Sequence, residues 1–485
     1  MDIEQPTPPD SSSFDGVSPQ VGDKLRSLKA FYDDPSRKPG WAAESYHLML
    51  AHYYNLQIPP DASVLEIGCG GGRLLSRLHP RSRVGVDLSE RQIEEARERN
   101  PDATFHVQAG ETLSLDGQFD FIILSETINF AADVQMIFER LRRVSHARTR
   151  LILNFFNNLW QPLSVLATMT GMRARQPETN WLSHTDVRNL LVISGWEPVT
   201  SGHRILLPFG LPGLDFLFNR CLAPLLSPAC LAIFCTARPL MPPVAKPPMV
   251  SVVIPARNEA GNIEAAVRRT PAMGAGTEFI FVEGHSKDKT WEEILRVKQA
   301  FPGKRIMSLQ QPGVGKADAV RAGFAAATGD ILMILDADLT VQPEELPKFY
   351  DAIVSGRAEF ANGVRLVYPM EQEAMRFLNF CANKAFSLMF SWLLGQPVKD
   401  TLCGTKALMR GDYERLTAGR AYFGDFDPFG DFDLLFGAGK LGLRIKDIPI
   451  RYCDRTYGST NISRWTHGWL LLRMVVFAAR KLKFV

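Results

Sequence analysis

Asp336 and Asp338 close the apolar run Ile331-Leu-Met-Ile-Leu335, two carboxylates at i and i+2 where a strand ends. Like charges that close repel each other unless a cation lies between them. Carboxylate oxygens are hard ligands, which suits Mg²⁺ or Mn²⁺. Such an ion can bridge a diphosphate and neutralise a leaving group. A bare pair of acids is a weak signal, but three other polar clusters precede it in order. The strand Val250–Ile254 runs into Pro255, Ala256, Arg257, Asn258 and Glu259. The run Phe281-Val-Glu283-Gly-His-Ser-Lys-Asp ends a second strand in a polar turn. Gly313-Val-Gly315-Lys316 then supplies glycine and a cation suited to a nucleotide or its phosphates. In open α/β sheets, ligands bind at the carboxyl ends of strands. Together these residues point to metal-assisted transfer from a nucleotide-linked donor.

A second constellation lies far upstream. Val64-Leu-Glu66-Ile-Gly68-Cys-Gly70-Gly-Gly72 is a strand that ends in a glycine-rich turn before a helix. Glycine lets the backbone approach a ligand closely, and a helix start offers unpaired N–H groups. Asp87 ends the next strand about 20 residues on, where an acid can accept from two ribose hydroxyls. A dinucleotide site would need GxGxxG, and Gly68-Cys-Gly-Gly-Gly-Arg lacks the last glycine. His184, in Trp181-Leu-Ser-His, is a further candidate base, weighed against a structural role.

These clusters need strands to carry them. Alternating strand and helix patterns predict an α/β chain with two Rossmann-like halves and parallel sheets. Strands are predicted at Ser63–Ile67, Arg83–Val86, Phe119–Leu124, Leu151–Phe155, Ser251–Ile254, Glu278–Val282 and Asp330–Leu335, with helices at Glu90–Arg99 and Val134–Val144. No internal repeat relates the halves. The predicted organisation is a disordered Pro/Ser/Asp-rich tail at 1–20, a cofactor domain at 21–203, an apolar appendage at 204–237, an extended Pro-rich linker at 238–248 and a second domain at 249–485. With 485 residues, 46% hydrophobic and 22% charged, the chain is long enough for two or three cores. A net charge of +3 does not point to a nucleic-acid partner.

Residues 25–200 resemble the class I S-adenosylmethionine-dependent methyltransferases, whose acid-then-GxGxG motif is matched by Glu66, Gly68, Gly70 and Gly72. The resemblance implies that Glu66 and the glycine turn hold the amino-acid part of S-adenosylmethionine, and that Asp87 holds its ribose. It implies that Gly110 and Glu111 lie near the adenine, and that Ser125 and Glu126 face the methyl group. A degenerate, non-binding domain is the alternative.

Residues 249–460 resemble glycosyltransferase family 2 with its GT-A fold, through Pro255-Ala-Arg-Asn-Glu259 and the Asp336/Asp338 pair. The resemblance implies a nucleotide-sugar donor, with Glu283 touching its base. The nearer likeness is to the polyprenyl-phosphate mannose synthase-like branch. Val398-Lys-Asp400-Thr-Leu-Cys-Gly404-Thr-Lys406 and Tyr452-Cys-Asp-Arg455-Thr-Tyr-Gly458-Ser-Thr460-Asn461 carry it. It implies that Arg455 contacts phosphate, with Thr460 in place of the branch's Ser and Asn461 in place of its Lys. Asp431 and Asp433 occupy the family's acidic catalytic element, and on a strand both would face one side. Asn461-Ile-Ser-Arg464-Trp465 lacks the Gln of the processive QxxRW motif, so a single-addition enzyme is expected.

Three stretches, 204–235, 375–395 and 465–485, look interfacial, the last with Trp465, Trp469, Arg480, Lys481 and Lys483. Aromatics with terminal cations suit an anionic lipid surface, and docking on the protein core is the other reading. No run of roughly 18 apolar residues predicts a membrane span. Met1–Pro9 has no basic or apolar leader character, and the 7 cysteines show no metal-ligand spacing. The expectation is a cytoplasmic, peripheral bifunctional transferase. It moves a hexose from a UDP- or GDP-sugar to a polyprenyl phosphate or lipid-linked glycan. The alternative is a soluble transferase acting on a small-molecule or polysaccharide hydroxyl, with the first domain a non-catalytic module.

Overall fold

The computed structural model describes residues 16–36, 41–171, 175–211, 213–240, 242–365, 367, 377–422, 432–453, 455, 457 and 464–485, with backbone alone at 41–43, 377–382 and 464–468. The chain divides into two compact units, Met1–Leu240 and Met241–Val485.

In the first unit, β1 (Ser63–Ile67), β2 (Ser82–Asp87), β3 (Thr104–Val107), β4 (Phe119–Ser125), β5 (Ser145–Phe156), β6 (Trp196–Arg204) and β7 (Ala232–Pro239) form one sheet, in the order β3-β2-β1-β4-β5-β7-β6. Strands β1 to β5 are parallel, and β7 lies antiparallel to both β5 and β6. The sheet is therefore mixed, against the expected parallel one. Val64, Leu65 and Ile67 on β1 are buried, as expected of a strand covered on both faces. The order reverses between β1 and β4, which opens a crevice at their carboxyl ends.

Strand β7 also corrects the expected boundaries. Residues 232–237 are not part of an appendage, and Arg238 and Pro239 are not linker. All belong to a fully buried strand hydrogen-bonded on both edges. Arg238 is tied down by Glu197 at 2.7 Å. Pro208, Pro212, Pro224 and Pro228 upstream, and the prolines after Pro239, had masked a strand that β5 and β6 stabilise from far away in sequence. The tail is shorter than expected as well, because Ser18 caps a helix, Pro19–Asp33, whose first position takes the proline.

In the second unit, β8 (Met249–Ala256), β9 (Gly276–Glu283), β10 (Arg305–Gln310), β11 (Ile331–Ile334), β12 (Phe360–Val364), β13 (Lys406–Met409) and β14 (Ile445–Pro449) run in the order β10-β9-β8-β11-β13-β12-β14. β8 pairs in parallel with β9 and β11, so a second reversal lies at β8 and β11. β13 is antiparallel to β11 and β12. The helices Phe377–Leu394 and Arg464–Leu482 pack together on this unit's core through Phe390, Leu393, Leu471, Met474, Val475 and Ala478. The same pair leaves Leu388, Trp392, Trp469, Leu472 and Val476 partly or largely exposed. Among the described residues, no helix is long and apolar enough to cross a membrane.

Four non-glycine residues with left-handed backbone follow strand ends at the two crevices: Glu126 (φ 60°), Asn258 (φ 57°), His285 (φ 57°) and Leu339 (φ 51°). Such conformations cost of order 1–3 kcal/mol each and concentrate where a site requires them.

Candidate functional site

The crevice of the first unit is a cleft of about 690 Å³. The turn after β1 supplies Gly68 and Gly70, whose φ values of 70° and 48° call for glycine. Both line the cleft, as do Asp87, Gly110, Glu111, Ser125 and Glu126. Gly72 does not; a Cβ there would strike the side chain of Asn100, so it serves close packing of the turn on the helix Glu90–Arg99. Asp87 accepts from the Gly70 N–H at 2.9 Å and the Ser89 N–H at 3.0 Å, which ties the glycine turn to the end of β2. Burial still raises its pKa. Glu111 accepts from the N–H groups of Ala132 and Asp133, at 2.8 and 3.2 Å.

Glu66 lies beneath the cleft rather than on its wall. It is buried, its Oε2 has no hydrogen-bond partner, and burial then the Asp87 charge push its pKa well up. The Ser125 hydroxyl is likewise buried and unpartnered. A cationic ligand with polar arms, such as a sulfonium amino acid, answers both deficits, so these residues fit the methyl donor. His184 is not on this wall. It opens the helix His184–Ile193 behind a Ser183/Asp186 capping box, a structural position.

Sequence reasoning missed the opposite wall. Phe31 and Tyr32 from the helix Pro19–Asp33 and His47 from the helix Trp41–Asn55 close the cleft. Burial, then Arg73 and Arg77, brings His47 down to about 4, so a neutral imidazole lines the cleft. No local motif marks these residues, because helices ahead of β1 bring them in.

The crevice of the second unit is a cleft of about 460 Å³ lined by Pro255, Ala256, Arg257, Glu259, Gly315, Lys316, Asp336, Asp338 and Arg455, among others. The expected clusters thus converge from four separate segments. Lys316 Nζ stands 2.6 Å from Asp336, and Arg455 stands 2.6 Å from Asp338 and 3.1 Å from Glu259. Asp338 Oδ1 also accepts from the N–H and hydroxyl of Thr340, at 3.1 and 2.8 Å, which orients the carboxylate. Glu259 is raised to about 7 by burial, against the pull of Arg455 and Asn262. Among the described residues no group of three or more His, Cys, Asp or Glu could hold a metal. Two carboxylates in a cleft fit an ion of the Mg²⁺ type, which takes one or two of them and completes its shell with phosphate and water.

Glu283 departs from expectation. Its carboxylate turns into its own loop and accepts from the Ser286 N–H at 2.5 Å, while its neighbours Val282, Gly284 and His285 line the cleft. The His285 ring meets the Gly313 carbonyl at 3.0 Å, joining two loops of the cleft, and Gln311 completes that wall. The Asp400–Lys406 segment has a legible part in this geometry. Asp400 is wholly buried and held by Arg365 at 2.7 and 2.9 Å. Lys406, also buried, donates to the Cys403 carbonyl at 2.6 Å and to Asn362 at 3.0 Å. Between these anchors Gly404 lies against the acid of the cleft, where a Cβ would collide with the Asp336 carboxylate and the Lys316 ammonium.

Asp433 is on a helix, Phe432–Lys440, not a strand. It is buried, pairs with Arg321 and Arg420 at 3.2 Å each, and does not line the cleft. Every residue from Phe432 to Ala438 is buried, and Phe432, Leu434, Leu435, Phe436 and Ala438 enter the core, so this is a helix buried all round rather than on one face. Asp431, Gly458, Thr460 and Asn461 lie outside the described residues, as does the side chain of Trp465.

Comparison with known proteins gives two family matches, a methyltransferase domain over residues 64–147 and glycosyl transferase family 2 over residues 251–416. A dolichol-phosphate mannosyltransferase of Pyrococcus furiosus is 32% identical over 220 residues, 44% of this chain and 59% of the relative. An undecaprenyl-phosphate 4-deoxy-4-formamido-L-arabinose transferase of Salmonella paratyphi A is 27% identical over 218 residues, 44% of this chain and 62% of the relative. The chain thus spans about three fifths of the length of these curated relatives. Among solved structures, a SAM-dependent methyltransferase of Thermotoga maritima aligns at TM-score 0.34 and 18% identity, over 44% of this chain and 99% of that one. Glucosyl-3-phosphoglycerate synthase of Mycobacterium tuberculosis aligns at TM-score 0.36 and 21% identity, over 48% of this chain and 80% of that one.

Proposed function

We propose that this chain, which joins a methyltransferase domain to a glycosyl transferase family 2 domain, moves a hexose from a UDP- or GDP-sugar to a polyprenyl phosphate or lipid-linked glycan, and that its first unit transfers a methyl group from S-adenosylmethionine. One observation carries the glycosyl reading. Asp336 and Asp338 share a cleft with Lys316 and Arg455, each acid matched by a cation. Acids and cations so interleaved can hold a diphosphate together with a divalent ion. Mg²⁺ or Mn²⁺, when bound, would be held by Asp336 and Asp338 and would supply charge stabilisation to the departing diphosphate. Lys316 and Arg455 add fixed positive charge at the same place. Pro255, Ala256 and Arg257, with Gly284 and His285 opposite, form the walls for the nucleoside.

The names of the relatives support a lipid-phosphate acceptor for the second unit. So does the position of Asp433: an anionic phosphate needs no general base, and this acid is committed to two arginines away from the cleft. The exposed apolar residues of the helices Phe377–Leu394 and Arg464–Leu482, with Arg480 and Lys481 in the last turn, support work at an anionic, cytoplasmic membrane face. A second reading, a soluble hydroxyl acceptor, is favoured by Glu259. It lines the cleft with a pKa of about 7, suited to a base at neutral pH.

In the first unit, the buried Glu66 and Asp87 and the Gly68–Gly70 turn would hold and orient S-adenosylmethionine, whose sulfonium supplies the methyl group. Phe31, Tyr32 and His47 would keep bulk water from it. The deciding experiment is donor turnover across UDP- and GDP-hexoses, with and without polyprenyl phosphate in vesicles. A radiolabelled lipid product is expected. Efficient transfer to a soluble sugar with vesicles ignored would favour the second reading.

A further inference from the structure

The helix Gln161–Met169 has no buried residue. Leu163, Val165 and Leu166 are each more than half exposed, and Met169 is 80% exposed. A nine-residue helix is marginal in water by itself, and its stability ordinarily comes from packing an apolar face. No charged residue occurs from Asn157 to Gly171. A second stretch, 205–231, carries only Asp215 and Arg220 as charges and exposes Phe209, Leu214, Phe216, Leu225 and Leu226. The two segments are fastened side by side. Trp160 Nε1 donates to the Ala229 carbonyl at 2.8 Å, and Asn157 Nδ2 donates to the carbonyls of Pro228 and Cys230 at 2.8 and 2.9 Å. Exposed apolar surface of this kind marks an interaction surface. Its place is informative, because the helix is bracketed in sequence by two residues of the first unit's cleft wall, Phe156 before it and Arg175 after it.

We infer that the first unit docks on an anionic lipid surface through residues 157–171 and 205–226, which brings the rim of its cleft to the lipid. This rests on the proposed reading only in that the second unit, covalently joined to it, works at the same surface. The patch itself favours lipid on two counts. Its two segments carry only Asp215 and Arg220 as charges, which leaves little for a protein partner's complementary charges to answer. The exposed cations beside it, Arg175 and Arg220, match anionic headgroups, with Asp215 the one opposing charge within the patch.

The test is hydrogen exchange on the full chain, with vesicles of phosphatidylcholine plus phosphatidylglycerol, phosphatidylcholine alone, or no vesicles. Slowed exchange at 157–171 and 205–226 on the anionic vesicles is the expected result. Leu163→Asp/Leu166→Asp, both on an exposed face, should weaken vesicle partition about tenfold, the order set by losing partial burial of two leucines. Its circular dichroism and thermal melt should match the parent. Protection confined to 464–482 would overturn the inference and leave the membrane placement of the second unit standing. Protection at 157–171 and 205–226 with none at 464–482 would do the reverse. Protection that grows with protein concentration in the absence of vesicles would mean that a second copy covers the patch, and would also overturn it.

Discussion

Lys316 Nζ and Asp336 Oδ1 lie 2.6 Å apart in the second unit's cleft, in the space left free by the missing side chain of Gly404. Lys316 opens the helix after the glycine loop, Asp336 follows β11, and Gly404 precedes β13. Three distant segments therefore meet at one charge pair. The pair links the two functions expected of the cleft, gripping phosphate and holding a divalent ion.

Gly404→Ala should disturb that pair without unfolding the unit. The added methyl displaces the ends of two side chains, not backbone. Donor turnover should fall by about a hundredfold, as for a misplacement of ångström size at a reacting centre. Steady-state kinetics beside a thermal melt would check it. Turnover equal to the parent's would separate Gly404 from the site.

Asp338→Asn removes one carboxylate of the pair and one partner of Arg455. Metal-dependent turnover should drop by about a hundredfold or more, given the several kcal/mol of charge stabilisation an ion supplies. Titration with Mg²⁺ and Mn²⁺ reads the effect. Full activity of the variant in EDTA would end the metal role of this residue.

The Asp400–Arg365 pair predicts an acid-sensitive contribution to stability. Burial by itself would raise the Asp400 pKa, but the charge and hydrogen bonds of Arg365, with Asn383, bring it down to about 2. A depressed carboxylate stabilises the fold above its ordinary pKa. That contribution fades as the pH falls from the ordinary carboxylate range towards about 2. Asp400→Asn leaves the Arg365 charge buried without its partner and should cost about 3–5 kcal/mol at neutral pH. The gap between denaturant melts of the two proteins should narrow as the pH is lowered from about 7 towards about 3, part of the way to the folded-state pKa. A constant gap would mean that the carboxylate charge does not contribute.

Gly70→Leu places a side chain in the cleft wall at a φ of 48°. The left-handed backbone costs roughly 1–2 kcal/mol for such a residue, and the side chain fills space the donor needs. Calorimetry on the full chain should detect S-adenosylmethionine binding in the parent and none in the variant. A parent that does not bind at millimolar ligand would make the first unit a degenerate module.

Much of each site was legible in sequence, because a strand, its terminal turn and the residue that follows are neighbours along the chain. Gly68, Gly70, Asp87, Pro255 to Arg257, Glu259 and the Asp336/Asp338 pair, which line the two clefts, are of that kind, and the strands that carry them lie where periodicity predicted. Only the tertiary structure could decide the partners. Arg455 and Glu259 meet across 196 residues of sequence, and Arg321 and Asp433 across 112. It also decided that Asp433 faces arginines on a helix, that Glu283 turns into its own loop, and that residues 232–239 form a strand. The reason is physical. Backbone conformation is set largely within a few residues, whereas burial, charge pairing and pKa depend on atoms that the fold brings from elsewhere.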